Sequence, residues 1–248
     1  MGGGEVDFFV PCFVDQFFPD AAFAAVKVME ALGCKVHCPE GQTCCGQPSY
    51  NAGYWEEATP VVRKWLNDFS GSVGSPDRPV VVMSGSCTGM IRNAYGSMLP
   101  VNSPGHLAWK SIRDRTFEWT EWVHAHPARE GLRSRFPHKV TYHDACSALR
   151  ECGIKPQVRE LLAAVSGLDL VELPESETCC GFGGTFAVKY EGISTAMADQ
   201  KISHALSTGA EYLVSADLSC LMHLQGYANK LGTALKSMHL AEVLASGW

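Results

Sequence analysis

The triplet Cys-Cys-Gly occurs twice in this chain, and the cysteines around it repeat as well. The two triplets are Cys44-Cys45-Gly46 and Cys179-Cys180-Gly181. Each follows a single cysteine by 32 or 33 positions and precedes another by 42 or 40 positions. Eight of the eleven cysteines thus form a first cysteine set (Cys12, Cys44, Cys45, Cys87) and a second cysteine set (Cys146, Cys179, Cys180, Cys220). Four thiolates are the ligands of an iron-sulfur cluster or a closed zinc site, so the pattern predicts a metal centre in each half.

Charge and hydropathy narrow the classes of partner. The chain has 248 residues, a formal net charge of -6 and 46% hydrophobic residues, with no run of Lys or Arg. The negative charge argues against a nucleic-acid partner, and no apolar stretch approaches the roughly 18 residues of a membrane span. The first residues lack the basic and apolar regions of a signal peptide. We therefore expect a cytoplasmic protein whose thiols stay reduced.

Two other interpretations of the cysteines are disfavoured. Disulfide frameworks are typical of short, loop-rich secreted chains, whereas this chain is long and has an odd number of cysteines. Inert buried thiols account for single cysteines but not for adjacent pairs that repeat with the same flanking pattern. Metal binding therefore remains the prediction, and iron-sulfur and zinc remain open as its chemistry.

The repeat extends to the predicted secondary structure. Each half has the order strand, helix, strand, Cys-Cys-Gly, helix, strand, cysteine. The predicted helices are 21–32, 55–69, 157–165 and 193–207, and the predicted strands are 7–10, the region of Val36, 80–83, 140–143, 169–173 and 212–215. Gly33 and Gly167 follow the first helix of each half, which is a common helix stop. Segments 117–123 and 238–244 are predicted to be equivalent closing segments.

This alternation predicts an α/β fold of two duplicated three-layer halves with mostly parallel sheets, related by a pseudo-two-fold axis. We expect one domain over 1–130 and a second over 131–248, with the boundary in the polar, proline-bearing stretch 126–139. Residues 70–79 are predicted to form a surface loop. Ligands of parallel sheets bind at the carboxyl ends of the strands, so the four cysteines of each half should gather there.

Glycines accompany each cysteine pair. Adjacent side chains on an extended segment point to opposite sides, so a Cys-Cys pair suits a cluster better than one tetrahedral ion. Gly46 and Gly181 permit positive φ or close backbone approach beside the metal. Gly183 and Gly184 continue a glycine-rich loop whose N–H groups are predicted to face cluster sulfides.

Five stretches carry a family resemblance: 39–48, 84–90, 141–144, 179–186 and 214–223. Together they resemble the cysteine-rich CCG domain family, which includes the catalytic subunit of heterodisulfide reductase and the iron-sulfur subunits of glycolate oxidase and anaerobic glycerol-3-phosphate dehydrogenase. Within it, the chain is most similar to the lactate utilization protein A group. That resemblance implies an iron-sulfur subunit in the oxidation of L-lactate, a small 2-hydroxy acid, to pyruvate. It also implies two partners, a ferredoxin-type iron-sulfur protein and a third subunit.

The chain departs from the family at two positions. The fuller family signature ends each repeat with Cys-x-x-Cys, but this chain has Met90 and His223 at the last position. The resemblance implies that the extra cysteine helps to hold a non-cubane cluster, so its loss argues against that cluster and against disulfide cleavage. Four cysteines per half still suffice for one or two [4Fe–4S] clusters. His223 is interpreted as a ligand, a hydrogen-bond donor or an ordinary helix residue, and Met90 as packing.

The remaining candidates lie outside the repeat. Cys34 and Cys38 are interpreted as structural thiols, and Cys152 as a structural thiol or a spare ligand. His143 and Asp144 could orient substrate or move protons, but the simpler prediction is that Asp144 caps the following helix.

The sequence assigns no catalytic residue, and three functions compete. Lys189 and Tyr190 could face an anion, although a solvated helix surface is the simpler interpretation. The first function is iron-sulfur electron transfer. The second is thiol/disulfide redox chemistry like that of heterodisulfide reductase, and the third is a non-redox module that holds zinc in one or both sites.

Overall fold

A computed structural model describes residues 4–70 and 77–248. Most of the predicted loop over 70–79 therefore lies outside the described residues. The strands of the first half are β1 (Glu5–Phe9), β2 (Lys35–His37), β3 (Val80–Val82) and β4 (Thr116–Glu118). Its helices are α1 (Cys12–Phe17), α2 (Pro19–Ala31), α3 (Gln47–Asn51), α4 (Trp55–Phe69), α5 (Gly85–Gly89), a π-helical turn (Met90–Ala94), α6 (Tyr95–Met98), α7 (Pro104–Arg113), α8 (Trp119–Ala125) and a 3-10 turn (Arg129–Gly131).

The second half repeats this order with fewer helices. Its strands are β5 (Lys139–Tyr142), β6 (Asp169–Leu170), β7 (Tyr212–Ser215) and β8 (Lys236–His239). Its helices are α9 (Cys146–Arg150), α10 (Pro156–Ala163), α11 (Thr185–Lys189), α12 (Glu191–Ser207), α13 (Leu218–Lys230) and α14 (Leu240–Leu244).

Each half contains a four-stranded, all-parallel sheet. The strand orders are β2-β1-β3-β4 and β6-β5-β7-β8, so the two sheets have the same topology. The predicted α/β class and its duplication are confirmed. The predicted closing segments, 117–123 and 238–244, each begin within a short edge strand, β4 or β8, and continue into a helix. Gly33 and Gly167 have φ of 86° and 80°, as expected of glycines that end helices.

The two halves pack reciprocally. Helix α14 of the second half contacts α2 of the first, and α8 of the first contacts α10 of the second. The cysteine-bearing helices do the same, because α5 contacts α9 and α1 contacts α13. One hydrophobic core accordingly contains residues of both halves, such as Phe8, Met29, Tyr142 and Leu213. This packing fits the predicted pseudo-two-fold relation, while the domain boundary at 130/131 stays a prediction.

A second core covers the opposite face of the first sheet. Side chains alternate along a strand, so Phe8 and Val81 face the shared core while Phe9, Val80 and Val82 face α4. There Phe9 lies edge-on to Trp65 with ring centroids 5.7 Å apart. Both faces of this sheet are therefore buried, which accounts for the uninterrupted apolar run of β3.

Gly85 marks the closest approach between the halves. A Cβ atom at Gly85 would lie 2.6 Å from the backbone nitrogen of Ala148 in α9. We expect Gly85→Ala to lower the free energy of unfolding by about 1–3 kcal/mol, because backbone on both sides must move. Gly192→Ala is the matched control: a Cβ there meets nothing within 4 Å, and alanine favours a helix by up to about 1 kcal/mol. Urea denaturation of both variants checks this, and equal stabilities would contradict the close approach.

Equivalent capping boxes begin α8 and α14. Glu118 caps α8 and His239 caps α14, where Nδ1 of His239 accepts the backbone N–H of Ala241. Burial lowers the pKa of His239 to about 4. The unfolded chain therefore binds this proton near pH 6.5, whereas the folded chain binds it only near pH 4. Stability is thus lost as the pH falls through this window.

His239→Asn tests this pH dependence. Asparagine is a good N-cap and does not titrate. We expect the loss of stability between pH 7 and pH 5 to shrink by about 2 kcal/mol in the variant. Urea denaturation at both pH values measures it, and an unchanged difference between the two pH values would contradict a neutral, buried His239.

Candidate metal centre

All eight cysteines of the two sets line one cavity of about 530 Å³. The sequence predicted one gathering of thiols in each half, but it did not indicate that the two would share a cavity. The shared cavity follows from the reciprocal packing of α5 on α9 and α1 on α13. Its volume is that of a small-molecule site rather than of a single ion.

The single cysteines that precede and follow each Cys-Cys pair lie just after the two central strands of each sheet. Cys12 and Cys146 are the first residues of α1 and α9, directly after β1 and β5. Cys87 and Cys220 lie in the first turn of α5 and α13, after β3 and β7. Because the strands are parallel, these helix starts meet at the same edge of each sheet. The predicted placement at strand ends agrees with the structure.

Within each set, the thiols form hydrogen bonds with one another. The Cys45 thiol donates to Cys87 Sγ at 3.1 Å, and the Cys180 thiol donates to Cys220 Sγ at 3.0 Å. Hydrogen bonds with Cys12 and Cys45 lower the pKa of Cys44 to about 3.

The second set shows the same pattern of pKa shifts. Hydrogen bonds with Cys146 and Cys180 lower the pKa of Cys179 to about 2. Neighbouring thiols raise the pKa values of Cys146 and Cys180 instead. Each set therefore favours a thiolate at one cysteine of its pair, which is the form that binds metals.

Backbone amides support these thiolates. Gly46 N–H donates to Cys44 Sγ at 3.3 Å, and Gly181 N–H donates to Cys179 Sγ at 3.4 Å. Both glycines have positive φ, 85° and 93°, which side-chain-bearing residues rarely adopt. Gly183 and Gly184 also have positive φ and line the cavity.

The donors present fit an iron-sulfur cluster. Each half offers four thiols with N–H···S donors in a cavity of sufficient volume, and such donors tune cluster potential. The same four thiols also fit a closed zinc site, so the donor set alone does not separate the two metals.

Two polar residues of the cavity were not predicted from the sequence. Asp217 caps α13 by accepting the N–H groups of Ser219 and Cys220, and Ser84 caps α5 in the equivalent position. The Ser84 hydroxyl donates to Asp217 Oδ2 at 3.4 Å, which joins the two halves beside the cysteines. Each lies three residues before a cysteine. Serine and aspartate are common N-cap residues, so this spacing was the sequence signal that could have identified them.

Of the remaining candidates, only some lie at the cavity. Met90 is buried and lines the cavity. His223 Nε2 lies 3.2 Å from Ser194 Oγ, and His223 is not among the described residues lining the cavity. Cys152 Sγ instead contacts Gly85 O at 3.7 Å. The others away from the cavity lining are Cys34, which is buried, and Cys38, Lys189 and Tyr190, which are exposed.

His143 and Asp144 behave differently from the simpler prediction. Asp144 does not cap α9; its buried carboxylate forms a two-bond ion pair with Arg159. His143 is fully buried, and its ring lies within 4.8 Å of the Cys180 and Cys220 sulfurs. Burial, reinforced by Lys201, lowers the pKa of His143 to about 4.

Within the described residues, no helix combines the length and apolar character needed to cross a bilayer. This agrees with the expectation of no membrane span from the sequence.

Comparisons with known proteins agree with the resemblance seen in the sequence. A family model described as a cysteine-rich domain, CCG, matches residues 6–92 and 140–225. Lactate utilization protein A 2 of Bacillus cereus (strain Q1) is 38% identical over 243 residues, which cover 98% of each chain. Lactate utilization protein A of Geobacillus sp. (strain WCH70) is 38% identical over 242 residues, 98% of this chain and 99% of that one.

A solved structure supports the fold alone. A hypothetical protein from Helicobacter pylori superposes with a TM-score of 0.59 at 13% identity, covering 98% of this chain and 49% of that chain. With the family model matching both halves and the relatives matching nearly end to end, the chain belongs to the cysteine-rich CCG domain family and, within it, to the lactate utilization protein A group.

Proposed function

We propose that this protein is the iron-sulfur electron-transfer subunit of a multi-subunit complex that oxidises L-lactate to pyruvate. The observation that carries the proposal is that two duplicated sets of four thiols line one cavity. The names of the relatives, lactate utilization protein A, support a role in lactate utilization. Such a chain would work in the cytoplasm, as two CCG domains.

Each cysteine set would hold one [4Fe–4S] cluster, for which four thiols suffice. The cluster would supply one-electron storage and transfer. The chain's own residues would do the rest: thiolates ligate, Gly46 and Gly181 donate N–H groups to ligand sulfur, and buried Met90 contributes an apolar wall that limits water. The shared cavity would place the two centres within one protein interior, which suits stepwise electron transfer.

The proposed partners are those that the resemblance to the lactate utilization protein A group implies. Oxidation of a 2-hydroxy acid releases two electrons, which one-electron centres must pass on in turn. A ferredoxin-type iron-sulfur protein and a third subunit would complete the electron path. We propose no nucleic-acid partner, in keeping with the net charge of -6.

Isotope labelling tests the proposal in the assembled complex. This chain is loaded with ⁵⁷Fe and combined anaerobically with unlabelled partner subunits, so that Mössbauer spectra report its iron alone. Adding L-lactate is expected to reduce the labelled iron, whereas buffer without substrate leaves it oxidised. Labelled iron that stays oxidised while the partners are reduced would overturn the electron-transfer role.

Thiol/disulfide chemistry is a second candidate, because the sulfur atoms of Cys45 and Cys87 lie 3.1 Å apart. This alternative predicts that the protein reduces disulfides in the absence of lactate. It also predicts that the number of free thiols changes during turnover. The loss of the fuller signature at Met90 and His223 argues against it, so electron transfer is the function proposed.

A further inference from the structure

The two halves differ at the residue that lies three positions before the first cysteine of each set. Phe9 and His143 each lie three residues before the first cysteine of their set. Phe9 pairs with Val82, five residues before Cys87, and the His143 carbonyl accepts a hydrogen bond from Ser215, five residues before Cys220. His143 therefore occupies in the second half the position that Phe9 occupies in the first.

The helix that covers this position differs in the same way. A Cβ at Gly46 would approach the carbonyl of Ala58, and a Cβ at Gly181 would approach that of Ser194, which aligns α4 with α12. Seven residues further along lie Trp65 and Lys201. The aromatic pair of the first half, Phe9 and Trp65, is thus replaced by His143 and Lys201 in the second.

The polar groups around His143 are engaged elsewhere. Lys201 Nζ donates to the carbonyls of Glu175 and Ser176 at 2.7 and 3.3 Å. The Asp144 carboxylate is paired with Arg159. Each of these groups therefore already has partners, and none of them forms a hydrogen bond with the imidazole.

Neither ring nitrogen of His143 forms a hydrogen bond of good geometry in the described part of the chain, although the ring is fully buried and the Ser176 backbone lies close to it. A buried imidazole without partners is costly, which indicates that another group satisfies it. Trp65 Nε1 is also unpartnered, but an indole N–H only donates and cannot bind a metal. An imidazole nitrogen can bind a metal, and in His143 it lies within 4.8 Å of the sulfurs of Cys180 and Cys220.

We propose that His143 is a metal ligand of the second cysteine set in addition to its four cysteines, so that the two centres differ in their ligands. The inference rests on the proposed metal-binding function. Neither His143 nor His223 is among the described residues that line the cavity. His223 does not compete for this role, because its Nε2 lies 3.2 Å from Ser194 Oγ, whereas a ring nitrogen of His143 lies within 4.8 Å of the Cys180 and Cys220 sulfurs. A neutral imidazole suits iron and zinc alike, so the assignment does not depend on which metal is bound.

The test isolates the second centre and looks for nitrogen. Protein carrying Cys45→Ser, which lacks the first centre, is labelled with ¹⁵N-histidine and prepared anaerobically. X-ray absorption at the edge of the bound metal is expected to include a nitrogen scatterer, and pulsed EPR of reduced iron is expected to show a ¹⁵N coupling. His143→Phe, which installs the residue of the first half, and His143→Gln, which keeps a polar side chain, should both lose these signals. His223→Gln should retain them.

Each outcome decides the inference. Nitrogen signals that persist in both His143 variants, or that are absent from the parent protein, would overturn it. Zinc without iron or sulfide would overturn the electron-transfer function. A nitrogen scatterer detected at the zinc edge, and lost in the His143 variants, would still support His143 as a ligand. Folding of each variant is checked by urea denaturation, and the glutamine variant decides if the phenylalanine variant does not fold.

Discussion

Replacing Cys180 with serine is expected to remove the metal of the second cysteine set and leave the first set loaded. Cys180 is buried, contacts Cys220 and accepts the N–H of Phe182, and a serine hydroxyl is a poor substitute for a thiolate at a soft metal site. Iron per chain should fall by about half if each set holds one four-iron cluster. Cys45→Ser should have the same effect on the first set, so the two variants should lose different EPR signals.

The matched control is Cys38→Ser, since Cys38 is exposed and is not part of either set. It should keep the iron content and both signals of the parent protein. A full set of signals in Cys45→Ser or Cys180→Ser would contradict the ligand assignment, and loss in Cys38→Ser would show that the thiol sets are not as the structure places them.

Removing Arg159 is expected to destabilise the second half strongly. Arg159 Nη2 donates to Asp144 Oδ2 at 2.7 Å, Nη1 donates to Oδ1, and the Asp144 side chain is only 1% exposed. Arg159→Met would leave that carboxylate buried without its cation. Breaking a buried ion pair in this way costs about 3–5 kcal/mol, because the remaining charge has lost both water and partner. The free energy of unfolding from urea denaturation measures the effect.

An exposed ion pair gives the comparison. Arg113 pairs with Asp114 at 2.9 Å, but the side chains are 41% and 73% exposed. Arg113→Met should therefore change stability by about 1 kcal/mol or less. Similar losses in the two variants would contradict the view that burial makes the Arg159 pair important.

Local patterns were enough to predict the elements that position the cysteines. Helix α4 begins and ends at the predicted residues, Trp55 and Phe69, because its apolar face repeats with a helical period and no glycine interrupts it. The apolar run of β3 was equally clear, since both faces of the strand are buried. Strand ends that carry cysteines could thus be recognised before any tertiary information.

The edge strands β4 and β8 and the helices after Cys87 could not be predicted in the same way. Strand β4 has only three residues, Thr116-Phe117-Glu118, and exists through its pairing with β3. The segment from Gly85 to Arg113 is broken into short helices. Gly96 within it lies against the Trp109 ring, a contact set by tertiary packing.

The shared cavity and the proposed role of His143 also depend on contacts between distant segments. The cavity requires α5 to approach α9 at Gly85 and Ala148, which are far apart in sequence. His143 stands out only once its burial and its distance to Cys180 are known. Sequence spacing drew attention instead to His223, which occupies the family's last cysteine position.

The central claim is that both cysteine sets bind iron-sulfur clusters. Iron, zinc and acid-labile sulfide are measured per chain in protein purified under strict anaerobiosis. We predict about four iron and four sulfide for each set, hence about eight of each per chain, with little zinc. Zinc without iron or sulfide would contradict the claim.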